Sequence, residues 1–263
     1  VGRIPNHRLA TACRRFYNQA MMEIEIKSDI PDRMIGILGG MGPEATMDLY
    51  LNIIRLTPAG RDQDHVRVLI YSNPKIPDRT MAIEQTGDSA VPSLIESAKL
   101  LERAGAGIIA MPCNAAHYFL AEIQREINIP ILDMIEETSR RLRRESPIPK
   151  TIGLLASNGT VSSGVYTNSL RKQGISTLLP KGEDQQKIQI AIDEVKAGTH
   201  DRATQETFQS IGLRMVEAGA ESVILGCTEI PLAFSPDEVT YPTLNPTRIL
   251  AEIAVNWALG KGS

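Results

Sequence analysis

Two cysteines, Cys113 and Cys227, each end an apolar run that reads as a strand, residues 107–112 and Ser222–Gly226. A polar residue follows each at once, Asn114 or Thr228. A lone strand cysteine is ordinarily a small core hydrophobe. A matched pair at equivalent positions invites a chemical reading instead. A thiol at a strand end, close to a helix N-terminus, meets the positive end of the helix dipole. That position is expected to lower its pKa from about 8.5 toward neutrality. The N–H groups that follow, with Asn114 and Thr228, could hold a carboxylate. They would also stabilise the negative charge left when an adjacent carbon loses its proton. Two thiols on opposite faces of one carbon, one a thiolate and the other protonated, can invert its configuration. A hydrolase would need only one cysteine and a base beside it.

The elements that must position these thiols come in two matching sets. In the first, strands are expected at residues 34–38, 66–72, 107–112 and 129–133, with helices at 43–56, 89–104 and 116–127. Residues 73–80, rich in Pro, Asp and Asn, read as a loop. In the second, strands are expected at Thr151–Ala156 and Ser222–Gly226. Helices are expected just after a turn at 157–159, and at 188–196, Arg202–Glu217 and Pro246–Ala258. Strands alternating with helices of this length predict an α/β fold with parallel sheets. Ile35-Gly36-Ile37-Leu38 answers Ile152-Gly153-Leu154-Leu155, and Ala104-Gly105-Ala106 answers Ala218-Gly219-Ala220. Each Ala-Gly-Ala precedes a strand and its cysteine at the same distance. Self-similarity on this scale indicates duplication. The expected organisation is an extension over residues 1–33, a first lobe over 34–146 and a second over 147–263, with the linker at 145–150 and a final helix able to pack back on the first lobe. The two lobes would be related by a pseudo-twofold axis. Ligands of open α/β sheets sit beyond the carboxyl ends of strands, which puts both cysteines in the cleft between lobes.

Other residues have weaker signals. His117 could tune Cys113 or relay a proton, or pack locally at a helix start; Glu229 is a second candidate for tuning. Arg79, in the loop segment Asp78-Arg79-Thr80, could grip a side-chain carboxylate in a bidentate manner. Lys196, near a helix end before Gly198, could favour the helix C-terminus or reach a substrate. The loop Gly39-Gly40-Met41-Gly42 does not match the dinucleotide pattern G-x-G-x-x-G. It suits close backbone approach to a small anion. His7, His65 and His200 have no ligand spacing, so no metal is expected.

Composition narrows the classes. The chain has 263 residues, of which 42% are hydrophobic and 22% charged, enough for a sizeable core. A net charge of −3 and 4% aromatics argue against nucleic acid as a partner. No apolar run approaches the roughly 20 residues that span a membrane. Three cysteines without a C-x-x-C are too few for a disulfide framework and fit a reducing cytoplasm. The first 33 residues are Arg-rich before the first acid, Glu23, but lack an apolar signal core. Cys13, inside that extension, is expected to play no part in chemistry.

The segments ILGGMGPEAT, NPKIPDRT, MPCNAAH, IEET and GCTEIPL, in this order, resemble the aspartate/glutamate racemase family, in particular its aspartate racemases. The resemblance runs from about Met34 to Leu259. It implies a two-lobed α/β fold, usually a homodimer, with a two-thiol mechanism free of pyridoxal phosphate or any other cofactor. It implies Cys113 and Cys227 as the catalytic pair. It also implies substrate contacts from Met41, Asp78, Arg79, Thr80, Asn114, Ala115, Ala116 and Lys196, with Thr228 as the counterpart of Asn114. The implied substrate is a small acidic amino acid, aspartate foremost. One position departs from the family, which usually has Cys-Asn-Thr where this chain has Cys113-Asn114-Ala115. A lost hydrogen bond to a charged carboxylate costs about 1.5–3 kcal/mol, so the substrate is less fixed than the reaction. The alternatives left open are glutamate or broader racemisation, a related dicarboxylate isomerase or decarboxylase, and a non-catalytic carboxylate-binding protein.

Overall fold

The structure is a computed structural model, and it describes residues 33–234 and 238–261. The expected extension over residues 1–33 falls outside them except for Arg33, and so does Cys13.

The first half runs β1 (Ile35–Gly39), α1 (Pro43–Leu56), β2 (Val68–Ser72), α2 (Arg79–Glu84), α3 (Val91–Arg103), β3 (Ile108–Ala110), a 3-10 turn (Ala115–Phe119), α4 (Leu120–Gln124) and α5 (Met134–Arg143). The second runs β4 (Thr151–Ala156), α6 (Asn158–Ser163), α7 (Val165–Lys172), β5 (Ser176–Leu178), α8 (Gly182–Ala197), α9 (Arg202–Glu217), β6 (Ser222–Gly226), α10 (Ile230–Ala233), β7 (Thr243–Leu244) and α11 (Pro246–Ala258). The strands form two parallel sheets, in the orders β2-β1-β3 and β5-β4-β6-β7. In each the earliest strand is central and the cysteine-bearing strand lies beside it. The fourth place in the first sheet is a single parallel bridge, Ile109 to Ile131, where the second sheet has β7.

Both sheets are covered on both faces, which is why their strands are continuous apolar runs. In β1, Ile35 and Ile37 face α1 and α11, meeting Leu49, Ile53, Leu250, Ala254 and Val255. Leu38 faces the other way, toward Leu94, Ala98 and Leu101 of α3. In the second sheet Leu155, Val223 and Leu225 pack on Ile188 and Ile192 of α8 and on Phe208 and Ile211 of α9. Ile152, Leu154 and Ile224 pack on Ile135, Leu142, Tyr166 and Leu170. The last helix, contributed by the end of the chain, thus lies against the sheet contributed by its beginning. Among the described residues no helix is long and apolar enough to cross a membrane.

Three local expectations need correction. The strand expected at 129–133 shrinks to the Ile131 bridge. Pro130 has no N–H to give to a ladder, and Asp133 already caps α5 by accepting from the N–H groups of Ile135 and Glu136 at 3.0 Å. The loop expected through residue 80 ends at Asp78, whose carboxylate accepts from the Met81 N–H at 2.9 Å, so Arg79 and Thr80 begin a helix. The helix expected at 116–127 begins as a 3-10 turn. The carbonyl of Cys113, which a regular helix would pair with the His117 N–H, is taken by the His117 ring at 2.8 Å. The His117 N–H goes to Asn114 instead, at 3.2 Å.

Candidate active site

The carboxyl ends of β1 and β4, the central strands, lead into the turns that floor a cleft between the halves. After β1 the chain turns through Gly39-Gly40-Met41-Gly42. A side chain on Gly40, with φ +96°, would run into the backbone of Asn73. Thr46, one turn into α1, ties the loop by accepting from the Gly40 N–H at 2.8 Å and donating to the Gly42 carbonyl at 2.9 Å. After β4 the equivalent turn carries Ser157, which caps α6 and hydrogen-bonds Thr160. The sides of the cleft come from α2, α8 and the two cysteine loops.

A cavity with about 330 Å³ of empty space lies between them. It is lined by Cys113 and Cys227 together, and by Met41, Asp78, Arg79, Thr80, Asn114, Ala115, Lys196, Thr228 and Glu229. Residues far apart in sequence, drawn from both halves, therefore meet at one place. Ala116, an expected contact, and His117, a candidate for tuning, are not among the lining residues. Ala116 is fully buried behind the loop. His117 turns away from the cavity: its Nδ1 meets the Cys113 carbonyl, and its Nε2 accepts from the Met134 N–H at 3.2 Å. Burial, foremost, holds its pKa below 6.5 despite the charge of Asp133. His117 is a neutral brace for the Cys113 backbone, not a group beside the sulfur. Ser157 and Thr160 line the cavity and were missed. The signal for them was the duplication itself, since their turn follows β4 as the glycine loop follows β1.

The two thiols have different neighbours. Cys227 directly follows β6, whereas Cys113 stands three residues beyond the end of β3. Cys227 Sγ donates to Glu229 Oε2 at 3.0 Å. That oxygen also accepts from Thr228 Oγ1 at 3.2 Å, while Oε1 accepts from the Gly42 N–H at 3.3 Å. Glu229 thus joins the second cysteine loop to the glycine loop of the first half. The helix that follows Cys227 is only four residues long. Burial first, and then the charge of Glu229, push the Cys227 thiol well up, with Lys196 opposing them. This overturns the expectation that a strand-end position lowers the pKa of this thiol. Lys196 is held up as well. Burial opposes its charge, but Cys227, Glu229, Asp193 and Cys113 together outweigh that.

The cationic and amide groups retain free donors. Arg79 Nη1 donates to the carbonyls of Ile76 and Pro77 at 3.1 and 2.9 Å, while its buried Nε has no partner among the described residues. Asn114 Nδ2 is likewise buried and unpartnered. Asp78 is engaged as the cap of α2. Among the described residues no group of His, Cys, Asp and Glu is placed to hold a metal ion. Donors from Arg79, Lys196 and Asn114 and a pair of buried thiols lining one cavity suit an anionic substrate whose carbon is approached by sulfur.

This combination of parallel sheets and a two-thiol cleft defines a class, the α/β isomerases that move a proton on and off carbon. Residues 38–254 match the family model for Asp/Glu/Hydantoin racemase. The chain belongs to that family and is a racemase, hence an isomerase. It is 29% identical over 227 residues to the broad specificity amino-acid racemase RacX of Bacillus subtilis, covering 85% of this chain and 97% of that one. Among solved structures it is similar to the aspartate racemase of Picrophilus torridus, with TM-score 0.77 and 33% identity over 86% of this chain and 94% of that one. It also shares its fold with the glutamate racemase of Francisella tularensis, solved with D-glutamate, at TM-score 0.63 and 16% identity over 88% and 85% of the two chains.

Proposed function

We propose that this chain interconverts the L and D forms of an acidic amino acid, aspartate foremost, by proton transfer between Cys113 and Cys227. The observation that carries the reading is the meeting of both buried thiols on one cavity that also holds Arg79, Lys196 and Asn114. The α-carboxylate is held by Asn114, Thr228 and loop N–H groups. The distal carboxylate meets Arg79 and Lys196. Cys227, held as a thiol against Glu229, enters as the acid, and Cys113 acts as the base on the other face. Cys113 sulfur takes the α-proton, and the electron pair left on carbon is spread into the carboxylate. Cys227 then gives its proton to the opposite face. The product leaves with inverted configuration, Cys113 protonated and Cys227 a thiolate. That form is ready for the reverse enantiomer, or it resets by proton exchange with water. Neither step needs a cofactor.

The same arrangement accommodates a wider amino-acid range. Ala115 lines the cavity without a hydroxyl, and the relative RacX is named for broad specificity. A cytoplasmic homodimer is the accompanying expectation, to be measured by sedimentation. The deciding experiment incubates the protein with L-aspartate in D₂O, without added cofactor, and follows α-deuteration and optical rotation. Deuterium at the α-carbon with loss of rotation is expected. A panel of neutral and acidic amino acids in the same assay sets the range. No exchange with any of them would sink the racemase chemistry assigned to the two thiols.

A further inference from the structure

Asn114 is nearly fully buried, and an amide in that position has two ends that must be told apart. One end is accounted for: its Oδ1 accepts from the Tyr166 hydroxyl at 2.6 Å. The other, Nδ2, has no partner among the described residues, and Asn114 lines the cavity. The phenol comes from the other half of the chain. Tyr166 is the second residue of α7, just after Gly164, whose φ of +66° ends α6 and lets α7 start in a new direction. Its ring is fully buried between the second sheet and α5, against Ile135, Leu142, Leu154 and Leu170. The hydroxyl therefore cannot swing away, and it reaches the first cysteine loop from behind.

We infer that Tyr166 is a positioning residue of the racemase site: by donating to Asn114 Oδ1 it forces the amide nitrogen to face the substrate carboxylate. Without that donor, a terminal amide is close to two-fold in its torsional preference and could present oxygen to the carboxylate as readily as nitrogen. An oxygen there repels the ligand. Burial, foremost, pushes the ionisation of Tyr166 far above its ordinary range, so it stays a donor throughout the working pH range. The arrangement also means that the carboxylate-binding amide beside Cys113 is set by the half that carries Cys227.

This inference rests on the racemase reading for its substrate, so the test reads binding as well as turnover. Tyr166→Phe keeps the ring and its packing and removes only the hydroxyl. It is compared with Asn114→Ala and with the double variant. Affinity for D- and L-aspartate is measured by titration calorimetry, and kcat and KM by racemisation. Tyr166→Phe is expected to weaken binding and raise KM about tenfold, the scale of one hydrogen bond to a charged group. It should leave the alkylation rate of Cys113 by neutral iodoacetamide unchanged. In the Asn114→Ala background the same change should have no further effect on affinity. Aspartate binding without racemisation would overturn the racemase reading and leave this inference to be judged on affinity. Wild-type affinity in Tyr166→Phe, additive losses in the double variant, or no aspartate binding by the unaltered protein would each overturn the inference itself.

Discussion

Glu229→Gln isolates the charge that distinguishes the two thiols. The carboxylate accepts from Cys227 Sγ at 3.0 Å, Thr228 Oγ1 at 3.2 Å and the Gly42 N–H at 3.3 Å. When Cys227 ionises, two negative charges stand beside each other. At a separation of about 4 Å and an effective dielectric near 20, that repulsion is worth roughly 4 kcal/mol. The amide removes the charge but retains one acceptor oxygen, and relaxation recovers part of the energy. The net effect is smaller and of one sign: the thiolate fraction of Cys227 at fixed pH rises. The direction follows from the causes: the charge and the hydrogen bond of Glu229 both raise the Cys227 pKa, after burial, so their loss lowers it. The assay is site-resolved alkylation by iodoacetamide across pH 6 to 10, read by peptide mass spectrometry. The Cys227 profile should move to lower pH in the variant. The kcat should fall in the direction that starts with Cys227 as the acid, and KM with it, because an equilibrium constant of one keeps kcat/KM equal in the two directions. A Cys227 profile that stays in place, or moves to higher pH, refutes the assignment of Glu229 as the group that keeps this thiol protonated.

Four further outcomes are expected. Cys113→Ser and Cys227→Ser should each lower racemisation by at least about a thousandfold, because a hydroxyl with a far higher pKa cannot replace a thiol in proton transfer; chiral chromatography of aspartate checks this, and an active single variant would remove the two-base scheme. Ala115→Thr should lower KM for aspartate about tenfold, the worth of one hydrogen bond to a carboxylate, while leaving neutral amino acids unchanged. Gly159→Ala should reduce kcat/KM at least about tenfold while circular dichroism stays unchanged, because a Cβ there would stand 2.5 Å from Thr80 Oγ1 and 2.9 Å from its Cα, prising α2 from α6. His117 should make the protein acid-sensitive: its folded pKa lies below 6.5, so below that pH the unfolded chain binds the extra proton first. The stability is complete above pH 6.5 and is lost as pH falls toward the folded value. Urea unfolding from pH 7.5 to 5 should show a steeper decline for the unaltered protein than for His117→Gln, and equal slopes would contradict this.

The alternation of strands and helices and the duplicated cysteine unit were legible from residue types, because buried parallel strands write themselves as apolar runs. Five elements, Pro43–Leu56, Thr151–Ala156, Arg202–Glu217, Ser222–Gly226 and Pro246–Ala258, fall at the expected bounds. Ends set by Gly or by capping Asp and Asn are local signals. The two-residue β7 and three-residue β5 were not legible, since such short strands exist only through the neighbours they pair with. The meeting of Cys113 with Cys227, Arg79 and Lys196 was legible through the duplication and the family resemblance. Glu229 was legible only in part, as a candidate for tuning. Its bond to Cys227 spans two residues, but its bond to Gly42 spans 187, and no spacing rule reports a contact at that separation. For His117 both a tuning role and local packing were open from the sequence, and its bonds to the Cys113 carbonyl and the Met134 N–H decide for local packing.

The position of α11 has a consequence for how the chain is made. The face of β1 and β3 bearing Ile35, Ile37, Ile108 and Ala110 is covered by Leu250, Ala251, Ala254 and Val255. On the ribosome that apolar face emerges with residue 110, while its cover begins only at Pro246. The first sheet therefore waits, incompletely buried, until residues 246–258 have been synthesised, and apolar surface exposed in this way is what drives association between nascent chains. A message cut short before Pro246 would yield a product whose defect lies in the sheet of β1 and β3, more than a hundred residues before the missing codons.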